Sequence, residues 1–284
     1  MNGSKLPNLI CPGAPKAGTT TLYNLFAMHP DIYVSDFKEL YYFSNDRFFN
    51  KGSEWYARNF KDYSGEKYIA DITPFYLASE ESPGRIRRLL GEDVKFIIML
   101  RNPIDRAYSQ FLMQSREEAG YRSFRDMVFK KEKNADEKSI LSNGYYFRNL
   151  TNYLDYYPKE SFHFVLMEDL VSDFGKVAEG IFCFLGISNM ELNMEISSNS
   201  RFRPKRKLLF RLIKKIPNRV KVRIRKFFRI STNENITRKL VGYGNSEQRD
   251  IDGETYKTLQ DIYANDIEEL EKLIERDLSP WLKN

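Results

Sequence analysis

The sequence predicts an α/β fold: a single domain with a central parallel β-sheet flanked by helices. Three observations predict it. Short apolar runs that read as buried strands alternate with longer stretches of helical periodicity. One of those runs, Val94-Lys95-Phe96-Ile97-Ile98-Met99-Leu100, is nearly all apolar, as a strand covered on both faces must be. The chain also has 284 residues, 42% of them hydrophobic, enough for one sizeable core, and neither an internal repeat nor a Gly/Ser or Pro-rich linker divides it. The expected domain therefore spans residues 1–284.

The elements follow in order. Leu9-Ile10-Cys11 is a short apolar run ending at Pro12-Gly13, a strand entering a loop. Beyond Lys16-Ala17-Gly18-Thr19-Thr20-Thr21, apolar residues at Leu22, Leu25, Phe26 and Met28 predict a helix stopped by Pro30. A second strand is Tyr68–Ile72, running into Thr73-Pro74, and the third is the apolar run ending at Leu100. Arg101-Asn102-Pro103 then leads into the helical pattern IDRAYSQFLMQ. The charge-rich stretch Ser115–Lys138 reads as a surface excursion. A further helix, YFRNLTNYLDYYP, precedes a fourth strand at Phe162–Met167, and amphipathic helices are expected at Gly175–Leu185 and Glu254–Arg276.

Composition excludes several functions. Two cysteines, Cys11 and Cys183, make neither a disulfide framework nor a cysteine zinc site, and two histidines rule out most histidine-rich metal sites. No metal is expected. No run of 18 apolar residues encodes a membrane span, and the first residues lack a signal-peptide layout. A cytoplasmic protein is therefore expected. The net charge of +6 is local: Arg201 to Arg229 holds 14 basic residues and no acidic one, leaving 31 basic against 39 acidic residues elsewhere. Apolar residues interleave there, so this basic amphipathic segment suits an anionic surface, a peripheral membrane contact among them. It equally suits a solvated helix pair. No base-stacking motif accompanies it, so nucleic acid is not an expected partner.

The most informative segment is the loop from Lys16 to Thr21. A loop between a buried strand and a helix start points backbone N–H groups at its occupant, and the helix dipole adds positive charge. Lys16 supplies a point charge, Gly18 permits close backbone approach, and the threonines supply hydroxyls. The pattern is not a Walker loop, because the lysine precedes the glycine. A plain turn with a threonine cap would satisfy the same residues. Arg101 stands at the carboxyl end of the third strand, where ligands gather in open α/β sheets, and Ser109 follows about two helical turns later. The pair could grip a second phosphate. Alternatively, Arg101 pairs with Asp105 on the surface.

Together, PKAGTTTL and LRNPIDRAYSQF resemble the two cofactor signatures of sulfotransferases that use 3′-phosphoadenosine-5′-phosphosulfate. The resemblance leans toward the heparan-sulfate type and its bacterial relatives. It extends through MHPDI, KELYYFSND, KGSEWYARNF, DITPFY, the GYYFRNLTNYLDYYP helix, FVLMEDL and FLGI, over roughly residues 8–190, with a fainter echo in DIEELEKLIERDLSPWL. It implies a P-loop-like nucleotide-binding fold. It also implies that Lys16, Ala17, Gly18, Thr19, Thr20 and Thr21 bind the 5′ side of the nucleotide, and that Arg101 and Ser109 bind its 3′-phosphate. By the same resemblance Glu39 is the catalytic base and Lys16 a catalytic cation. His29 and His163 are not expected in the chemistry.

The sequence departs from that family at two places. Asp71-Ile72 stands where heparan-type enzymes carry Glu-Lys, so Ile72 replaces a cation. The disulfide-linked phosphate loop of the animal enzymes is also missing, and Arg203 and Lys205 are the expected substitutes. The expected reaction is sulfuryl transfer to a hydroxyl or amine of an acceptor, a glycan or glycolipid. A lipid or polyketide-like hydroxyl is the alternative acceptor. A P-loop kinase fits less well, since no lysine follows Gly18. A non-catalytic anion-binding module fits poorly with an intact Lys16 and Glu39.

Overall fold

The chain forms β1 (Leu9–Gly13), α1 (Thr19–Met28), β2 (Ile32–Val34), α2 (Asp46–Phe49), α3 (Ser53–Ala57), β3 (Tyr68–Ile72), α4 (Ser82–Leu90) and β4 (Lys95–Leu100). Then come α5 (Pro103–Glu117), α6 (Phe124–Phe129), α7 (Ala135–Ser142), α8 (Tyr146–Leu154), β5 (Phe162–Leu166), α9 (Met167–Ser172), α10 (Phe174–Leu185) and α11 (Gly253–Ile274). This computed structural model describes residues 6–117, 123–130, 134–190 and 251–283. Met190 aside, these belong to one compact unit made of Met1–Asn189 and Asp250–Asn284. The expectation of a single domain over 1–284 also involves residues 191–250, which lie outside the described residues.

The five strands pair in the order β2-β3-β1-β4-β5, every pair parallel. Every residue of β1 and β3 is buried, and in β4 only Lys95 is not. Helices cover both faces, which is why these segments lack polar alternation. From β1 the chain crosses to β2 and returns to β3, then passes over β1 to build β4 and β5 on the other side. The direction of winding reverses between β1 and β4. In open parallel sheets the crevice outside the carboxyl ends at such a reversal is where ligands sit.

Local chemistry sets the boundaries. Helix α1 starts after Gly18 and stops at His29, one residue before Pro30, which would remove a helical donor. Helix α10 ends on Gly186 in the left-handed conformation, φ 60°. The start of α8 is capped from far away: the Asp266 carboxylate of α11 accepts the Phe147 and Arg148 amides at 3.0 Å each. That satisfies two orphan donors and places negative charge at the helix's positive end. Burial nonetheless raises the Asp266 pKa.

Two expectations change. The edge strand β2 has only three residues, too few for a sequence pattern to announce. Ser115–Lys138 is not simply a surface excursion. It carries the end of α5, then α6 and the start of α7, and Phe124, Met127 and Val128 of α6 are buried. Their i, i+3, i+4 spacing forms an apolar stripe that the surrounding charge masks. Among the described residues no helix is long and apolar enough to cross a membrane.

Candidate functional site

The loop between β1 and α1 lies at the carboxyl end of the sheet, beside the reversal. Gly18 is the N-cap of α1 at φ 90° and makes no side-chain cap. The amides of Gly18, Thr19 and Thr20 have no acceptor among the described residues, while the Thr21 and Leu22 amides bond the Gly18 carbonyl. Ala17, Thr19 and Thr21 are buried and Thr20 is exposed, so the open amides line a mouth with a packed base. Gly18 is required for a reason the sequence reading did not give. A Cβ there would lie 3.0 Å from both Leu170 Cδ2 and Met167 Sδ of α9, in addition to the cost of its positive φ. Lys16 is also left-handed, φ 68°, and its Nζ lies 3.8 Å from Met113 Sδ.

Arg101 reaches across the reversal. Its Nη1 donates to the Lys16 carbonyl at 3.3 Å, so guanidinium and loop lie side by side at the carboxyl end of the sheet. No ion pair joins Arg101 to Asp105 among the described residues. Ser109 is half-buried in the second turn of α5, and its hydroxyl makes no hydrogen bond among the described residues. The backbone at Arg101 is braced from three directions. Tyr146 donates to the Arg101 carbonyl at 2.8 Å. The Asn102 amide donates to Glu168 Oε1 at 3.2 Å, and Trp281 Nε1 donates to the same oxygen at 3.1 Å. Asn102 Nδ2 closes the circuit on the Trp281 carbonyl at 3.2 Å. Burial raises the Glu168 pKa, against hydrogen bonds that favour its ionised form.

Glu39 lies on the other side of β1, held against the end of β3 by its amide on the Ile72 carbonyl at 3.2 Å. Its Oε1 pairs with Lys38 Nζ at 2.6 Å and its Oε2 accepts from Tyr41 OH at 3.0 Å. Lys38 Nζ also lies 3.4 Å from Thr19 Oγ1, which ties the carboxylate to the anion loop. Glu39 and Tyr41 adopt left-handed φ of 65° and 54°. For non-glycine residues such values cost about 1–3 kcal/mol each and cluster at functional sites. Ile72, where a cation was missing, is buried in β3, and the ammonium beside Glu39 belongs to Lys38. Sequence reasoning missed Lys38 because its reach to Thr19 depends on the turned backbone at Glu39. The adjacent Lys-Glu pair was the available signal.

Neither histidine is near this crevice. His29 caps the far end of α1, where Nδ1 accepts the Asp31 amide at 3.1 Å and Nε2 donates to the Ser188 carbonyl at 2.9 Å. His163 is the second residue of β5, toward its amino end, and burial lowers its pKa. Cys11, buried in β1, is pushed up to about 12 by desolvation and is no nucleophile. Arg203, Lys205 and the basic segment Arg201–Arg229 lie outside the described residues.

The sequence pattern described as the sulfotransferase domain matches residues 6–270. The chain belongs to the sulfotransferase family. Its relatives are transferases. Among them, heparan sulfate glucosamine 3-O-sulfotransferase 6 of Mus musculus is 30% identical over 188 residues, 66% of this chain and 54% of that protein. Membrane-associated sulfotransferase kil1 of Dictyostelium discoideum is 37% identical over 109 residues, 37% of this chain and 22% of that protein. The chain spans about half the length of the heparan-type relatives it matches. A crystal structure of a sulfotransferase from Alicyclobacillus acidocaldarius has the same fold, with TM-score 0.70 and 24% identity over 98% of this chain and 99% of that one. The parallel five-stranded sheet with its β1–α1 loop is thus the sulfotransferase fold.

Proposed function

We propose that this sulfotransferase moves a sulfuryl group from 3′-phosphoadenosine-5′-phosphosulfate to a hydroxyl or amine of a carbohydrate acceptor. The observation that carries this reading is the bond from Arg101 to the Lys16 carbonyl, which supports the loop and the guanidinium as two sides of one nucleotide site. The residues suit a nucleotide anionic at both ends: open amides, a helix N-terminus and threonine hydroxyls on one wall, a guanidinium and a free serine hydroxyl on the other. When bound, the nucleotide supplies a sulfuryl group carried on a phosphate leaving group.

The chain's residues divide the remaining work. The amides of Gly18, Thr19 and Thr20, with the α1 dipole, bind the 5′ anion. Lys16 neutralises charge that grows on the leaving phosphate. Arg101 and Ser109 hold the 3′-phosphate, the guanidinium by charge-assisted hydrogen bonds. Glu39 accepts the proton released by the acceptor. Tyr41 fixes Oε2, and Lys38 holds Oε1 while reaching Thr19, so base and donor loop keep one frame. A sugar acceptor is supported by the names of the heparan-type relatives.

A thermal-shift comparison tests the cofactor. A ligand that binds only the folded state stabilises it by about 2.7 kcal/mol at 100 times its Kd. 3′-Phosphoadenosine-5′-phosphate is expected to raise the melting temperature well beyond adenosine 5′-phosphate or ATP. An equal response to all three would remove the support for this donor.

A further inference from the structure

The carboxylate most deeply placed near the site has no part in the steps above. Asp71, next to last in β3, is 2% exposed and forms no ion pair among the described residues. Its partners are three hydroxyls: Tyr56 at 2.7 Å and Tyr76 at 3.0 Å on Oδ2, and Thr73 at 2.7 Å on Oδ1. An ionised carboxylate only accepts, so each hydroxyl must aim its hydrogen at Asp71 and turn its lone pairs away. Two of those oxygens then accept backbone amides from the segment that carries Glu39. The Leu40 amide bonds Thr73 Oγ1 at 3.0 Å, and the Tyr42 amide bonds Tyr76 OH at 3.0 Å.

These two amides flank Tyr41 and follow Glu39, the residues with left-handed φ. Such a backbone persists only where its surroundings over-determine it. Here the surroundings are one buried carboxylate and the hydroxyls gathered on it. Burial raises the Asp71 pKa while the three hydroxyl bonds act against that rise, favouring the ionised form. We infer that Asp71 is a positioning residue: through Thr73 and Tyr76 it fixes the Leu40 and Tyr42 amides and so sets where the Glu39 carboxylate stands. The motif DITPFY thereby acquires a task for its first, third and sixth residues. This inference rests on the reading of Glu39 as the proton acceptor.

The test uses the full chain and two independent readouts. Hydrogen exchange is followed on peptides covering 38–43 and 19–28, and kcat and donor KM are measured, for wild type, Asp71→Asn, Tyr76→Phe, Thr73→Val and Thr73→Ser. Asp71→Asn is expected to speed exchange at 38–43 while leaving 19–28 within about twofold. It should also lower kcat about 100-fold with donor KM nearly unchanged, the scale expected when a reacting group is misplaced by about 1 Å. Thr73→Val and Tyr76→Phe should show smaller effects in the same direction, and Thr73→Ser should match wild type. If Asp71→Asn does not fold, the single-hydroxyl variants carry the same comparison. Unchanged exchange at 38–43, or equal acceleration at both peptides, overturns the inference. A wild-type chain without transfer activity overturns the functional reading instead, and the exchange pattern then decides the placement of the segment alone.

Discussion

The two walls beside β1 are fixed by different materials. Toward β4, the anion loop is shaped by main chain and apolar packing: Gly18 under α9, and Arg101 on the Lys16 carbonyl. Toward β3, the Glu39 segment is held by side-chain oxygens converging on a buried carboxylate. A wall built from backbone amides presents its donors whatever side chains decorate it, whereas one hung on hydroxyls depends on each of them. The first therefore suits a constant ligand, and the second can be adjusted by single substitutions.

Substitutions that separate the two walls should differ in size and in the quantity they move. The largest effect is expected for Glu39→Gln, which keeps the shape of the β3 side and removes its proton acceptor. Transfer should fall about 10²–10⁴-fold, while affinity for 3′-phosphoadenosine-5′-phosphate, measured by calorimetry, stays near wild type. A matching loss of nucleotide affinity would mean the walls are not separable. Next is Arg101→Ala, which should weaken that nucleotide by roughly 10- to 100-fold, the equivalent of losing a charged hydrogen bond worth about 1.5–3 kcal/mol. Arg101→Lys should recover only part of it, since an ammonium lacks the planar fork. Smallest is Asp266→Ala, remote from both walls. Losing the cap on α8 should cost about 1–2 kcal/mol and lower the melting temperature by a few degrees, with kcat intact well below it.

How much of this was legible in the sequence follows from the same division. Leu9–Cys11, Tyr68–Ile72 and Val94–Leu100 announce themselves because strands covered on both faces are built mostly from apolar side chains. The anion loop was legible too, since its chemistry lies in six consecutive residues. The Glu39 wall was legible only in part. Glu39 was expected from resemblance, but Lys38 was not, and the tie from Asp71 to Tyr56 spans 15 residues and two elements. Hydroxyl-bearing side chains carry no periodicity that marks them as partners. The helix at Phe124–Phe129 was hidden for another reason, since three buried positions within six residues are easily outvoted by neighbouring charge.

The brace at Arg101 has a consequence for biosynthesis. Trp281 lies 179 residues beyond Asn102, yet it supplies both a carbonyl to that asparagine and an indole N–H to Glu168. A nascent chain paused after β5 already has the loop, the strands, the guanidinium and the Tyr146 brace, but not the Glu168 and Trp281 contacts that close the circuit. The last braces of that turn are thus added only once residue 281 has been synthesised.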